Sequence, residues 1–402
     1  MKNALPVALM SLGGLYVSQS VLGGFMWTAL PAYLRSQGMA LDHLGFLSLL
    51  VLPWALKMLW SPQVERWRRP APGITRTRGV ILIGWAATVL TGIGLIWAET
   101  APFAILLAGL MLIATATATV DIACDGHAVE AFAPKDYGWA NAMQVGGAYA
   151  GAALGGGLVL VALGRWGWGP GMMTMLALML LCSMPFVLLR QPQPLGPPAA
   201  AGPSLRAALA RPTTLQGLAV TALYVSAMKS STGYFGPFLV DSGFSLTNIG
   251  IFGATGAMIT GLAGAMLGGL IVSALGAPLV LLAALGAQAV VLIYCMIAAS
   301  GASGLVPGLP WMVQIVSPAF MAVGFVALYA RFMAWSDPAQ AGVDFTIFQC
   351  ADALISMAFG VLAGQIISWL GYPAQFGLSL ALSALCFARL RALLPAPVQA
   401  SP

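Results

Sequence analysis

The sequence predicts an all-α membrane protein, with twelve transmembrane helices in two six-helix bundles. Three observations lead there. Of 402 residues, only 7% are Asp, Glu, Lys or Arg and 60% are hydrophobic, and the mean hydropathy is +0.91. A soluble domain carries about 25% charged residues, so no water-facing surface can be built from this composition. Apolar stretches of the length that crosses a bilayer, roughly 20 residues, recur along the whole chain. They are continuous rather than alternating, which is the pattern of helices and not of barrel strands. Finally, one polar, proline-rich stretch divides the chain near its middle.

The twelve expected spans are 7–34, 44–60, 79–98, 102–131, 138–163, 170–189, 212–240, 248–272, 276–299, 309–333, 340–369 and 373–394. The first follows a single Lys2 and has no small-residue cleavage site before Pro31, so it is read as a retained helix and not a removed signal peptide. The second ends with Lys57 inside it and runs into Glu65 and Arg66. The third follows Arg76 and Arg78, the fourth carries Asp121 and Asp125, and the sixth closes just before Arg190. From there to Arg211 the chain reads Gln-Pro-Gln-Pro-Leu-Gly-Pro-Pro and then alanines, with Gly202-Pro203 near its end. A segment of that composition, with no hydrophobic periodicity, is a linker. The expected organisation is therefore a bundle over 1–190, a cytoplasmic linker over 191–211 and a second bundle over 212–402.

Basic residues orient the spans. With an even number of spans both termini share a side. Placing them in the cytoplasm puts thirteen Lys and Arg on that face against two, Arg35 and Arg165, on the other. Lys57 and Lys229 fall within spans. This is a strong positive-inside bias, so the net charge of +6 reflects topology and not a nucleic-acid surface. The five cysteines are scattered singly through apolar spans, with no metal-ligand or redox spacing, and read as packing residues.

The halves share a trace of common sequence. Pro31-Ala-Tyr-Leu-Arg-Ser-Gln-Gly38 through Gly45 joins spans 1 and 2, and Pro237-Phe-Leu-Val-Asp-Ser-Gly243 through Gly250 joins spans 7 and 8. With one gap, Pro, Ser, Gly, Leu and Gly match in order, at corresponding places in the two halves, which is evidence for two repeats. Glycines cluster in span 5 (Gly146, Gly147, Gly151, Gly155, Gly156, Gly157) and span 8 (Gly261, Gly264, Gly268, Gly269). Small residues at such spacing let helices approach closely, either for static packing or for sliding.

The sharpest motif joins spans 2 and 3: Pro53-Trp54-Ala-Leu-Lys57-Met-Leu59-Trp60-Ser61-Pro62-Gln-Val-Glu65-Arg66. An intramembrane Lys is costly and finds a partner, either Glu65 or an acidic residue of span 4. Lys57, Glu65 and Arg66 together read as a structural latch between helix ends. In span 4, Asp121 and Asp125 are four apart and share a helix face. Two carboxylates on one face at low dielectric cannot both ionise cheaply, so the pair is a candidate proton carrier; the alternative is neutralisation by Lys57 or by helix-end donors.

These motifs resemble the peptide/acetyl-CoA transporter branch of the major facilitator superfamily, which includes muropeptide permeases and acetyl-CoA transporters. The branch has Asp where this chain has Glu65, and reads Gln-Asp-Ile-Ala-x-Asp where this chain has Val120-Asp121-Ile122-Ala123-Cys124-Asp125. The Asp125-Gly126 ending, in a short twelve-helix chain, most resembles the single-component siderophore permeases of the rhizobactin, pyochelin and yersiniabactin type. The resemblance implies two bundles rocking about a mid-membrane site, with spans 1, 4, 7 and 10 around a central cavity. It implies a monomer in the bacterial inner membrane that imports a metal-loaded, aromatic and anionic siderophore.

Candidate substrate contacts follow from that placement and from the residues themselves. Span 1 aligns Tyr16, Gln19, Gly23 and Trp27. Span 7 carries Lys229 near mid-membrane, followed by Tyr234; its ammonium either binds an anionic substrate or pairs with a carboxylate such as Asp121 or Asp352. Span 10 aligns Gln314, Pro318, Phe325 and Tyr329, and span 11 offers Asp344, Gln349, Asp352 and Ser356. The expected substrate set is Gln19, Trp27, Lys229, Tyr234, Phe325, Tyr329, Gln349 and Asp352. For each of them ordinary helix packing is the competing account.

Enzyme motifs are absent from the sequence: no Walker loop, no Gly-x-Ser-x-Gly and no His-Glu-x-x-His. With two histidines, His43 and His127, and no clustered thiols, neither a metal site nor another cofactor is expected. With no nucleotide site, the chain reads as a transporter that draws on an ion gradient or on downhill flow, proton-coupled import being the preferred reading and the peptidoglycan-fragment permease and the drug–proton antiporter the alternative functions.

Overall fold

The computed structural model describes residues 4–39, 46–71, 73–97, 102–189, 202–245, 249, 256–301 and 303–393. Lys2, Asp42, His43, Gly45, Arg190, the 191–201 part of the expected linker and Gly250 lie outside them. Among the described residues, nine helices are long and apolar enough to cross a membrane. The protein is a multi-pass membrane protein.

We number the main helices in chain order. α1 is Leu5–Ser36, α2 Phe46–Leu59, α3 Ser61–Arg68, α4 Thr77–Ile96, α5 Phe103–Ala131, α6 Pro134–Trp166 and α7 Trp168–Leu188. After the short α8, Leu205–Leu209, come α9 Pro212–Lys229, α10 Phe235–Asp241, α11 Met258–Leu275, α12 Ala277–Ala299, α13 Val306–Trp335 and α14 Ala341–Leu393. α2 is apolar but shorter than the nine. α14 contains one break, at Gly371, whose φ of 80° is left-handed and favours glycine. Pro373 follows it.

The chain forms two compact units. The first comprises residues 1–134, 146–210 and 336–350; the second comprises 135–145, 211–335 and 351–402. Each unit thus takes a short segment from the other half of the sequence, and α14 passes from one to the other between Cys350 and Ala351.

In the first unit, glycine brings α1 and α6 into backbone contact. Side chains added at Gly147, Gly151 and Gly155 would strike Tyr16, Val17 and Val21, and one at Gly24 would strike Ala152 and Gly156. Both helices open into a π turn at this contact, Phe25–Ala29 in α1 and Leu154–Leu158 in α6. In the second unit, Gly264 and Gly268 of α11 do the same against Ala319 and Val323 of α13. Such contacts supply the van der Waals packing that holds helices together where no hydrophobic driving force between them exists.

The second unit also contains a helix break. α9 stops at Lys229, and a 3-10 turn at Thr232–Tyr234 leads into α10. Backbone freed at such a break must find partners inside the protein. Gln375 donates to the Ser230 carbonyl at 2.9 Å, and the Ser379 hydroxyl meets those of Ser230 at 2.7 Å and Ser231 at 2.5 Å. Beyond the break, Phe235, Phe238 and Leu239 join Val291, Leu292, Cys295, Leu309 and Phe376 in one apolar cluster.

Gly155→Leu forces the Val21 backbone to move, so it should destabilise the protein by about 1–3 kcal/mol and lower its melting temperature in detergent. Gly164→Ala, where the added carbon meets open space, should leave the melting temperature unchanged.

Candidate functional site

Three ionic centres lie within the described residues. Two belong to the first unit and one to the second.

The first forms around Lys57, whose ammonium is almost wholly buried on α2. It donates to the carboxylate of Asp121 and to the side-chain carbonyl of Gln349. Asp125 Oδ2 stands 3.5 Å away, and the Tyr16 hydroxyl donates to Asp125 Oδ1 at 2.9 Å. Helical periodicity explains the convergence: Asp121 and Asp125 project from one face of α5 toward α1 and α2. Of the two partner choices open to Lys57, the structure selects span 4 and not Glu65. It also places Gln349 on Lys57. Thr117 of the same α5 face is buried.

The second centre is a buried network beneath α3. Arg68, with no exposed surface, donates to both oxygens of Glu65 (2.9 and 2.6 Å) and both of Glu130 (2.8 and 2.5 Å). Arg69 donates to Glu130 at 2.8 Å and to the Pro338 carbonyl at 2.9 Å. Two glycines make the space: a side chain at Gly126 would strike the Arg68 guanidinium, and one at Gly342 would strike the Glu65 carboxylate. Burial works against the Arg68 charge, but the carboxylates of Glu65 and Glu130 outweigh it and hold the guanidinium above its usual range. Asp344 accepts from the Asp337 backbone N–H and the Gln340 side chain, both at 2.7 Å, while the Asp337 side chain caps the turn at Pro338–Gln340. Arg66 points elsewhere, 3.5 Å from the Pro203 carbonyl. The latch expected of Glu65 and Arg66 is thus built on Glu65 with Arg68, Arg69 and Glu130. The Glu65–Arg68 spacing of three was the signal available in the sequence. His127 is also buried and packs edge-on against Phe186 at 5.1 Å.

The third centre lies in the second unit. Lys229 pairs with Asp352 at 2.6 Å, and Tyr329 and Ser356 donate to the same carboxylate at 2.9 and 3.2 Å. The ammonium sits 4.4 Å from the centre of the Phe325 ring, a cation–π contact. Phe325 and Tyr329 meet edge to face at 5.8 Å, and Phe332 stacks on Tyr329 at 5.2 Å. Lys229, Phe325, Tyr329 and Asp352 are therefore brought together. Lys229 keeps 26% of its side chain exposed, which leaves it reachable.

The other substrate candidates are placed separately. Tyr234 donates to the Gly360 carbonyl at 2.9 Å. Gln19 is buried on α1, and its amide nitrogen has no hydrogen-bond partner. Trp27 folds over Gly23, where an added side chain would push against its ring, and meets Trp54 edge to face at 5.7 Å with half of its surface open. Asp344 and Asp352, eight apart on one helix face, serve different centres in different units.

No family model matches the chain. Several solved structures share its fold. FucP, a major facilitator superfamily transporter captured in the outward conformation, aligns over 98% of this chain and 100% of its own, with a TM-score of 0.74 and 17% identity. FucP of E. coli is a fucose:proton symporter. The human organic anion transporter MFSD10 aligns over 97% and 99%, with a TM-score of 0.70 and 16% identity. A bacterial homologue of the iron transporter ferroportin, in an outward-facing state, aligns over 96% and 98%, with a TM-score of 0.68 and 16% identity. The chain has the major-facilitator fold. That fold rests here on full-length agreement of backbones, since identity is low throughout.

Removing one partner of a buried ion pair strands the other, at about 3–5 kcal/mol. Glu130→Ala should therefore lower the melting temperature in detergent by far more than Arg66→Ala, a change at a half-buried contact worth about 0–1 kcal/mol.

Proposed function

We propose that this chain is a secondary transporter of the bacterial inner membrane that imports a metal–siderophore complex by proton-coupled alternating access. The observation that carries the transport reading is the Lys57–Asp121–Asp125 centre. Ionisable groups inside a membrane bundle are expensive and mark ion or substrate pathways. One ammonium facing two carboxylates leaves one excess negative charge, which a single proton cancels. The fucose:proton symporter shares the fold, which supports a proton as the coupling ion.

The spans number twelve on this reading. To the nine long helices are added the shorter α2, the helix α9 with its continuation α10, and a second span from dividing α14 at Gly371. The moving parts are the bundles 1–190 and 212–402, joined by the 191–211 linker, with both termini cytoplasmic by the distribution of basic residues. The protein works as a monomer, with no cofactor. Rocking of one bundle against the other requires the 336–350 segment to leave the first unit, so the Arg69–Pro338 and Lys57–Gln349 contacts break and reform in each cycle.

The cargo class rests on the resemblance of Pro53–Arg66 and Asp121–Gly126 to siderophore permeases, and on the chemistry of two sites. Lys229, flanked by Phe325 and Tyr329, suits an anionic aromatic group. Trp27 with Trp54 offers a stacking surface, and Gln19 a buried donor. Lys229→Met keeps side-chain length and removes the charge. It should abolish binding of a ferric siderophore in calorimetry, a loss of several kcal/mol, while the protein still folds and inserts. Affinity unchanged by the substitution would make the Lys229–Asp352 pair structural. A melting-temperature screen of ferric siderophores, anhydromuropeptides and cationic drugs separates the cargo readings, since a ligand at 100 times its dissociation constant adds about 2.7 kcal/mol. Stabilisation by an anhydromuropeptide alone would favour the peptidoglycan-fragment permease.

Asp121→Asn and Asp125→Asn mimic the protonated form and cannot release a proton. Each should lose concentrative uptake and retain substrate exchange in proteoliposomes. Concentrative uptake that survives in both, or wild-type uptake indifferent to a protonophore, removes the pair from coupling.

A further inference from the structure

Within the second unit, α11, α12 and α13 enclose an apolar groove of about 400 Å3. α11 and α12 each pack on α13 more than on each other, so a trough lies between them. α11 lines it with one stripe from Thr260 to Leu275, roughly 22 Å of helix. α12 supplies a wall of small side chains, Ala283, Ala284 and Ala287, and Phe320 and Val323 of α13 lie between the two. Leu267 and Leu279 line the groove and stay about half exposed, so it opens sideways from the three helices. The hydroxyl of Thr260 is already committed, donating to the Gly256 carbonyl at 2.9 Å.

All three helices are long and apolar enough to cross a membrane, so the medium facing the groove is hydrocarbon. An apolar cavity does not hold water, and an empty one forfeits contacts for every atom that lines it. Spread over that length, about 400 Å3 makes a trough one hydrocarbon chain wide. A helix, about 10 Å across, does not fit into it. The groove also ends beside a cation. Gly264 meets Ala319 and Gly268 meets Val323, so α11 and α13 run parallel in a register that sets Arg331 level with Gly276. Gly276 joins two spans, α11 and α12, and so lies at a membrane surface, the depth of lipid phosphates. Arg331 shares a helix face with Phe320, three turns away. Its guanidinium lies over the Trp335 ring at 4.8 Å, and its buried Nε has no hydrogen-bond partner. The planar fork of an arginine matches phosphate oxygens.

We propose that this groove is a lipid site: it holds one acyl chain of a bilayer phospholipid, whose phosphate is bound by Arg331. The chain fills the trough and supplies the packing that α11 and α12 do not give each other. A chain that leaves bulk lipid for the groove gains packing contacts and no hydrophobic free energy, because both surroundings are apolar. Selectivity therefore comes from the phosphate and its guanidinium, and a lipid with the same chains and no phosphate binds more weakly. The inference goes beyond the transport reading and does not depend on it.

The test is native mass spectrometry of the full-length protein in mild detergent. It is titrated with dioleoyl phosphatidylglycerol and, separately, with dioleoylglycerol, which has the chains and lacks the phosphate. The readout is the affinity for the first lipid bound. Wild type should hold phosphatidylglycerol about tenfold more tightly than dioleoylglycerol, the scale of a charge-assisted contact. Ala283→Phe fills the groove from an exposed position and should weaken the first phosphatidylglycerol about tenfold. Leu90→Phe, on an exposed face of α4, should leave it unchanged. Arg331→Gln should abolish the preference for phosphatidylglycerol over dioleoylglycerol. Should Ala283→Phe fail to fold, Ala263→Leu fills the same groove from α11. Wild-type affinity in the groove variants overturns the proposal. So does equal weakening by Leu90→Phe, the mark of an unspecific lipid coat. A preference for phosphatidylglycerol that survives Arg331→Gln overturns the assignment to a phospholipid. A dimer that Ala283→Phe dissociates would make a second copy the occupant, and likewise overturns it.

Discussion

A charge inside a membrane must be met by the protein, because no water is there to solvate it. That constraint organises most of what is distinctive here. Lys57 has Asp121, Asp125 and Gln349 around it. Lys229 has Asp352, Phe325 and the hydroxyls that orient the carboxylate. Arg68, buried just beyond the second span, is likewise enclosed by four carboxylate oxygens. Each arrangement needs side chains from helices far apart in sequence, so satisfying the charges is also what selects which helices pack together. Replacing such a pair with apolar residues is often neutral for stability, whereas deleting one partner is costly.

The backbone is shaped to the same end. Gly126 and Gly342 are the residues whose absent side chains leave room for the Arg68 guanidinium and the Glu65 carboxylate. At the break after Lys229, Gln375 takes up the Ser230 carbonyl, and the hydroxyls of Ser230, Ser231 and Ser379 satisfy one another. α14 contributes to two of the charged centres. It carries Gln349 to the Lys57 centre and, three residues later, Asp352 to the Lys229 centre, while belonging to a different compact unit at each. One helix thus bears a partner for each of the two lysines.

Legibility from the sequence was uneven, for identifiable reasons. The pairing of Asp121 with Asp125 was legible because four-residue spacing on a helix is a local geometric fact. The Lys229–Asp352 pair stood as one of several alternatives, since a mid-membrane ammonium announces that it has a partner but not which one. The meeting of Arg69 with Glu130 depends on how α3 packs against α5. Gln349 was grouped with Asp352 by its place on span 11, yet its side chain serves Lys57. Asp344 shares a helix face with Asp352, but it holds the turn before its own helix.

The sequence by itself determined that this chain lies in lipid, that it is helical, and that its few internal charges matter, because these follow from composition, run length and the cost of a charge away from water. The basic residues likewise carried an expected orientation, since that bias is counted along the chain. Which helices touch, and so which acid answers which base, was decided only by the tertiary structure. Contacts between residues separated by 64, 123 or 292 positions, as from Lys57 to Asp121, Lys229 to Asp352 and Lys57 to Gln349, leave no periodic trace. They exist only once the glycine contacts and helix breaks have set the distances between backbones.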